Sequence, residues 1–200
     1  MINLKSITFK PDKVWFTSDT HFWHSNIIEY AHRPFSSVEE MNETLIANWN
    51  AVVPRDGVVF HLGDFAFGSP DLWNSVLDRL KGKIYLVAGN HDGQMLQNTV
   101  MERFVAVDNQ MEIKVDKQKI ILNHYPFLCW SGEYRNTWQL FGHVHSGPMS
   151  LHNDTDFDRL SLLLPNQYDV GVDNNGFKPV SFAEVQTIIS KQNYGTIMRG

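Results

Sequence analysis

Short apolar runs that end in residues with ligating side chains dominate the hydrophobic pattern of this chain. Val14-Trp15-Phe16-Thr17-Ser18 runs into Asp19-Thr20-His21, Val58-Val59-Phe60-His61-Leu62 into Gly63-Asp64, and Ile84-Tyr85-Leu86-Val87-Ala88 into Gly89-Asn90-His91-Asp92. Later, Lys119-Ile120-Ile121-Leu122 leads to Asn123-His124, and Thr137-Trp138-Gln139-Leu140-Phe141 leads to Gly142-His143-Val144-His145-Ser146-Gly147. Runs this short, bounded by turn-forming residues, predict buried strands.

Helical spacing fills the gaps between the early strands. Val38, Met41, Leu45 and Trp49 follow the capping-box form Ser37-Val38-Glu39-Glu40 and predict a helix over about 37–50. Ser69-Pro70-Asp71 opens a second helix with a stripe of Leu72, Trp73, Val76, Leu77 and Leu80, closed by Gly82. The segment 22–36 between them and the first strand reads as an irregular loop. Alternating strands and helices imply right-handed crossovers and a parallel sheet, whose ligands gather beyond the carboxyl ends of the strands. Asp19, Asp64 and Asn90 all lie at such ends, so residues far apart in sequence are expected to converge.

Beyond residue 104 the period changes to two. Met111, Ile113 and Val115 alternate with polar residues, Asp116-Lys117-Gln118-Lys119 turns, and Ile120 and Leu122 return, which predicts a hairpin leading to His124. Residues 125–136 form a second long loop, 146–167 read as mostly loop, 168–172 as a last strand, and Ser181-Phe182-Ala183-Glu184 caps a closing helix to about 190. The hairpin and late strands suggest a second, more antiparallel sheet packed against the first, an α/β fold in one domain over 1–200.

The chain has 200 residues, 42% hydrophobic and 20% charged, enough for a substantial core. Its net charge of -5 gives no broad basic face, which disfavours long nucleic acid while leaving a local groove open. The single cysteine, Cys129, excludes an internal disulfide and a thiolate metal cluster. No apolar run reaches the roughly 18–20 residues that span a bilayer, and the first ten residues lack a signal peptide's apolar segment, so a cytoplasmic protein is expected.

The chemistry lies in the donors at the strand ends. In extended backbone His143 and His145, two apart, point the same way and form a pair of imidazole ligands. Asp19, His21, Asp64, Asn90, His124, His143 and His145 together offer two carboxylates, one amide and four imidazoles. Two divalent ions with four protein ligands each need eight donations, one more than these seven residues supply unless a carboxylate bridges. Two ions about 3.5–4 Å apart are the arrangement that clamps the attacking and leaving oxygens of phosphoryl transfer. Manganese, iron, nickel and zinc all accept such donors. Neither a phosphate-binding G-x-x-x-x-G-K loop nor a G-x-S-x-G elbow is present.

Taken in order, Asp19-Thr20-His21, Gly63-Asp64, Gly89-Asn90-His91-Asp92, Asn123-His124 and Gly142-His143-Val144-His145 resemble the calcineurin-like metallophosphoesterases. Each motif is weak alone, and as an ordered set across 19–145 they are highly specific. The resemblance implies a four-layer α/β/β/α sandwich with two mixed β-sheets. It implies that Asp19, His21, Asp64 and His145 hold one metal and Asp64, Asn90, His124 and His143 the other, with Asp64 as the bridge. It implies that a hydroxide bridging the metals attacks phosphorus in line, with His91 stabilising the transition state or protonating the leaving oxygen and Asp92 orienting His91. The stretch Asp19-Thr20-His21-Phe22-Trp23-His24-Ser25-Asn26-Ile27-Ile28 looks like a small phage-type and bacterial branch with poorly defined substrates. Where many members carry a further acidic or polar signature after Gly-Asp, Phe65-Ala66-Phe67-Gly68 follows here.

The expectation is therefore a metal-dependent phosphoesterase acting on a small phosphomonoester or phosphodiester. The rivals are a nuclease acting on DNA or RNA ends and a non-catalytic binding protein on the same fold. His61, inside an apolar strand, reads as a core histidine. His24 and Asn26 are in reach of metal or substrate, or belong to a solvated loop. Arg33 and Arg135 clasp a phosphate or form surface ion pairs. Trp23, Tyr125, Trp130 and Tyr134 form a stacking face or pack as core and lid. His32 and His152 have no evident partner.

Overall fold

The computed structural model describes residues 7–93, 99–146 and 163–192. Two five-stranded sheets pack face to face. The first has the order β10-β2-β3-β4-β5, from strands β2 (Val14–Thr17), β3 (Val58–His61), β4 (Lys83–Val87), β5 (Ala106–Asp108) and β10 (Val180–Ser181). All its pairings are parallel except β10 with β2. The second has the order β1-β6-β7-β8-β9, from β1 (Thr8–Phe9), β6 (Gln110–Val115), β7 (Gln118–Asn123), β8 (Trp138–Phe141) and β9 (Gln167–Asp169). There β6 and β7 form the expected antiparallel hairpin and the other pairs run parallel. These two mixed sheets with their helices make the expected metallophosphoesterase architecture.

Period-two alternation sends each strand of the first sheet into two cores. Val14, Phe16, Phe60, Leu62, Tyr85 and Val87 face the second sheet, where they meet Met111, Ile113, Val115, Ile120, Leu122 and Leu140. Val59, Ile84 and Leu86 face the other way, against helices α1 (Asn26–Tyr30), α2 (Val38–Val52) and α3 (Pro70–Leu77). The last helix, α4 (Phe182–Lys191), sends Phe182, Val185 and Ile189 into the core between the sheets.

The helix ends follow the sequence signals. Ser37 caps α2 by accepting the Glu40 amide, although Glu40 reaches back to the Ser36 amide and not to that of Ser37. Ser181 and Glu184 form a full capping box on α4. Trp49 in α2 is fully buried with its indole N–H on the Lys81 carbonyl at 2.9 Å, so its polar tip is satisfied.

Four expectations need correction. The irregular loop after β2 contains α1, whose five residues are too short to show helical periodicity. Helix α3 stops at Leu77, short of Gly82. The expected strand 168–172 is divided between the sheets: β9 pairs with β8, then Gly171 bridges to Ser18. β8 ends at Phe141, so the His143-Val144-His145 segment is a loop and not extended backbone. His152, Gly147 and most of the expected loop 146–167 lie outside the described residues.

Candidate metal centre

The carboxyl ends of the parallel strands from both sheets meet along one edge, and the backbone there is unusual. Asp19, His21, Asp64, His143 and His145 all have φ between 47° and 70°, in the left-handed region that L-residues rarely adopt. Such conformations persist where surrounding bonds over-determine them, and they cluster at functional sites. They also explain why side-chain alternation fails for His143 and His145, which enter two different donor groups.

The first group is Asp19, His21 and His145, and the second is Asp64, His124 and His143; within each, one donor atom per residue lies within 4.8 Å of the others. His21 Nε2 stands 3.9 Å from Asp19 Oδ1 and 3.6 Å from Asp64 Oδ2, and His145 Nε2 is 3.8 Å from Asp19 Oδ1. These spacings are too long for hydrogen bonds. They suit donors that share an ion through bonds of about 2.0–2.2 Å. Asp19 Oδ1 and both ring nitrogens of His21 are buried without a hydrogen-bond partner. Buried polar atoms left unsatisfied cost about 1–3 kcal/mol each, so the gap they face fits a cation.

In the second group the tautomer of His124 is fixed. Its Nδ1 lies 2.7 Å from the Leu62 carbonyl, which only accepts, so Nδ1 carries a hydrogen and in the neutral ring Nε2 presents a lone pair. That lone pair sits 3.0 Å from Asn90 Oδ1 and 3.5 Å from Asp64 Oδ2. Three acceptors converging in this way again fit a bound cation. The second group thus gathers Asn90 as well.

Each carboxylate spends one oxygen on a backbone amide from another motif. Asp19 Oδ2 accepts from His143 N, and Asp64 Oδ1 accepts from His91 N, both at 2.9 Å. The other oxygen of each is left facing imidazoles. Glycines make the approach possible: a Cβ at Gly89 would land on the Asp64 carboxylate, and one at Gly142 on Ser18 and the Asp19 carboxylate.

Burial sets the electrostatics. It pushes the Asp19 carboxyl up to about 6, against the opposing pull of His145 and His124. Burial, aided by Arg33 and neighbouring histidines, holds His21 well below the usual histidine range. For His145 burial disfavours the charge, but the Asp173 hydrogen bond and the Asp19 charge outweigh it and raise the value. Neutral imidazoles and ionised carboxylates are the states that bind metal.

His91 and Asp92 part company. The His91 ring is half-exposed, with Nε2 4.0 Å from Asp64 Oδ2. Asp92 is buried and its carboxylate accepts from the amides of Asp64, Phe65 and Gly89 at 2.8–2.9 Å. It therefore anchors the turn that carries Asp64 and does not orient the His91 ring.

Beside the donor groups lies a cleft of about 530 Å³, lined by His24, Ile27, Tyr30, His91, Val144 and five of the donors, His21, Asp64, Asn90, His143 and His145. The His24 ring stacks on Phe67 at 3.9 Å, so the Phe65-Ala66-Phe67-Gly68 stretch backs one of the residues in the wall. Tyr125 stands over His143 with ring centroids 4.6 Å apart. A larger hollow of about 660 Å³, lined by Trp130, Tyr134 and Arg135, lies under the 125–136 loop and has no imidazole in its wall. Arg33 is 4% exposed and its donors are all occupied by protein acceptors, so it does not reach out to a phosphate. Trp23 is tied to the Leu72 carbonyl, His61 is buried between Thr20 and the Gly63 amide, and His32 is exposed.

Two functional positions escaped the sequence reading. Asp173 Oδ2 is 2.7 Å from His145 Nδ1, and Asp169 accepts from the amide and hydroxyl of Ser146, so both brace the loop that carries His145. The signal was present in Tyr168-Asp169-Val170-Gly171-Val172-Asp173, where two carboxylates flank a glycine next to a short apolar run.

Comparison with known proteins agrees with this geometry. Residues 12–170 match the calcineurin-like phosphoesterase family. The chain is a member of that family. An uncharacterized protein of Methanocaldococcus jannaschii is 33% identical over 181 residues, covering 90% of this chain and 92% of its own. The gene 66 protein of Mycobacterium phage L5 is 31% identical over 165 residues, covering 68% and 79% respectively. The crystal structure of a protein of unknown function from Aquifex aeolicus shares the fold, with a TM-score of 0.64 at 24% identity over 88% of this chain and 98% of its own.

Proposed function

We propose that this protein is a cytoplasmic, dinuclear metal-dependent phosphoesterase that hydrolyses phosphomonoesters or phosphodiesters of small substrates. The observation that carries the reading is the position of Asp64 Oδ2, 3.6 Å from His21 Nε2 in one donor group and 3.5 Å from His124 Nε2 in the other. One oxygen facing both groups is what a bridging carboxylate requires. Asp19, His21, Asp64 and His145 would hold one ion, and Asp64, Asn90, His124 and His143 the other. When bound, manganese, iron, zinc or nickel in such a pair supplies Lewis acidity and lowers the pKa of water.

The chain's own residues do the rest. Asp64 Oδ1 is fixed by the His91 amide, which aims Oδ2 into the centre. The half-exposed His91 ring stands where it can stabilise charge on a phosphoryl oxygen or deliver a proton to the leaving oxygen. The open cleft beside it, with Ile27, Tyr30 and Val144 in its wall, receives the organic part of the ester.

The test is hydrolysis of a panel of chromogenic monoesters and diesters, nucleotides and oligonucleotides by chelator-treated protein with each metal restored. Turnover of a small ester that requires added metal and vanishes in Asp64→Ala supports the reading. Metal-independent turnover, or turnover retained by Asp64→Ala, overturns it, and cleavage of oligonucleotides alone would make the enzyme a nuclease.

A further inference from the structure

The two donor groups are braced in different ways. His124 is oriented by a main-chain carbonyl, Leu62 O, while His145 is oriented by a side chain, Asp173. Asp173 is in turn gripped by Arg33, with Nε on Oδ1 at 2.8 Å and Nη2 on Oδ2 at 2.9 Å. The same guanidinium donates Nη2 to the Asp19 carbonyl at 2.6 Å and Nη1 to the Thr20 carbonyl at 3.0 Å. Its remaining donor faces Met41 Sδ at 3.4 Å, so all five N–H groups are engaged. Arg33 thus spans the backbone of one candidate ligand, Asp19, and the carboxylate that holds another, His145.

Building on the dinuclear reading above, we propose that Arg33 and Asp173 are positioning residues that fix His145 for the metal held with Asp19 and His21, and leave the second metal position untouched. A carboxylate only accepts, so Asp173 holds the hydrogen on His145 Nδ1 and turns the Nε2 lone pair toward Asp19 Oδ1. The planar fork of Arg33 fixes both oxygens of Asp173, which a single hydrogen bond would leave free to rotate. Arg33 follows α1, whose Ile27 and Tyr30 wall the cleft, so the segment beside the cleft also sets the geometry of one metal.

The experiment is calorimetric titration of chelator-treated protein with Mn²⁺, alongside elemental analysis, for the parent, Asp173→Asn, and the double variant Arg33→Met with Asp173→Asn. The double variant removes both buried charges together, so neither is left unpaired if Asp173→Asn alone fails to fold. The parent takes two ions; the variants keep one at parental affinity and bind the other roughly 10- to 100-fold more weakly. In a His145→Ala background Asp173→Asn then causes no further loss, because the residue it positions is gone. Folded variants that bind both ions as tightly as a two-ion parent overturn this inference and leave the dinuclear reading standing. A parent that binds no ion overturns both.

Discussion

Asp19 Oδ2 accepts a 2.9 Å hydrogen bond from the backbone amide of His143, 124 positions further along the chain. The bond joins the ends of β2 and β8, one from each sheet, and leaves Asp19 Oδ1 free to face His21 and His145. The donor cluster is therefore held across the sandwich, and its integrity reports on the packing of both sheets.

Metal binding should accordingly stabilise the whole fold. Mn²⁺ at a hundredfold excess over its dissociation constant adds about 2.7 kcal/mol for each site filled, which raises the melting temperature by roughly 5–10 °C per site in a chain of this size. Scanning calorimetry with and without chelator checks this, and an unchanged melting temperature contradicts it.

His91 and Asp92 are neighbours with separable roles. His91→Ala should keep the metal content and lose turnover by roughly 10²–10⁴-fold, since the ring is half-exposed and its proposed role is toward substrate and not as a ligand. Asp92→Ala should instead destabilise the protein by about 3–5 kcal/mol, because three amides, two of them buried, lose a charged acceptor. Urea denaturation and elemental analysis of the two variants distinguish these outcomes.

The third prediction concerns acid. Burial lowers His61 from 6.5 to about 3, so the folded protein keeps it neutral while the unfolded chain protonates it near 6.5. Its contribution is complete above pH 6.5 and is lost as pH falls toward 3. Between pH 7 and 5 the loss amounts to roughly 2 kcal/mol. In metal-free protein His61→Gln should show a correspondingly smaller fall in stability across that window, measured by denaturant midpoints.

Most of the site was legible because ligating side chains follow apolar strands, and parallel strands deliver their ends to one edge. Asp19, Asp64 and Asn90 could be placed from that rule alone. The pairing of the braces could not. Asp173 and Arg33 are 140 positions apart, and nothing in either local pattern announces the partner. The resemblance gave Asp92 the task of orienting His91, yet its carboxylate turns to the amides of Asp64, Phe65 and Gly89. The left-handed backbone at His143 and His145 also defeated a spacing argument that holds only for extended chain.

The passage of residues 167–172 from the second sheet to Ser18 of the first has a consequence for biosynthesis. Every proposed ligand has been translated by His145, but the brace from Asp173 and the bridge at Gly171 come later. A nascent chain arrested between these points carries every proposed donor, but the position shared by Asp19, His21 and His145 lacks its clasp until this last segment emerges from the ribosome.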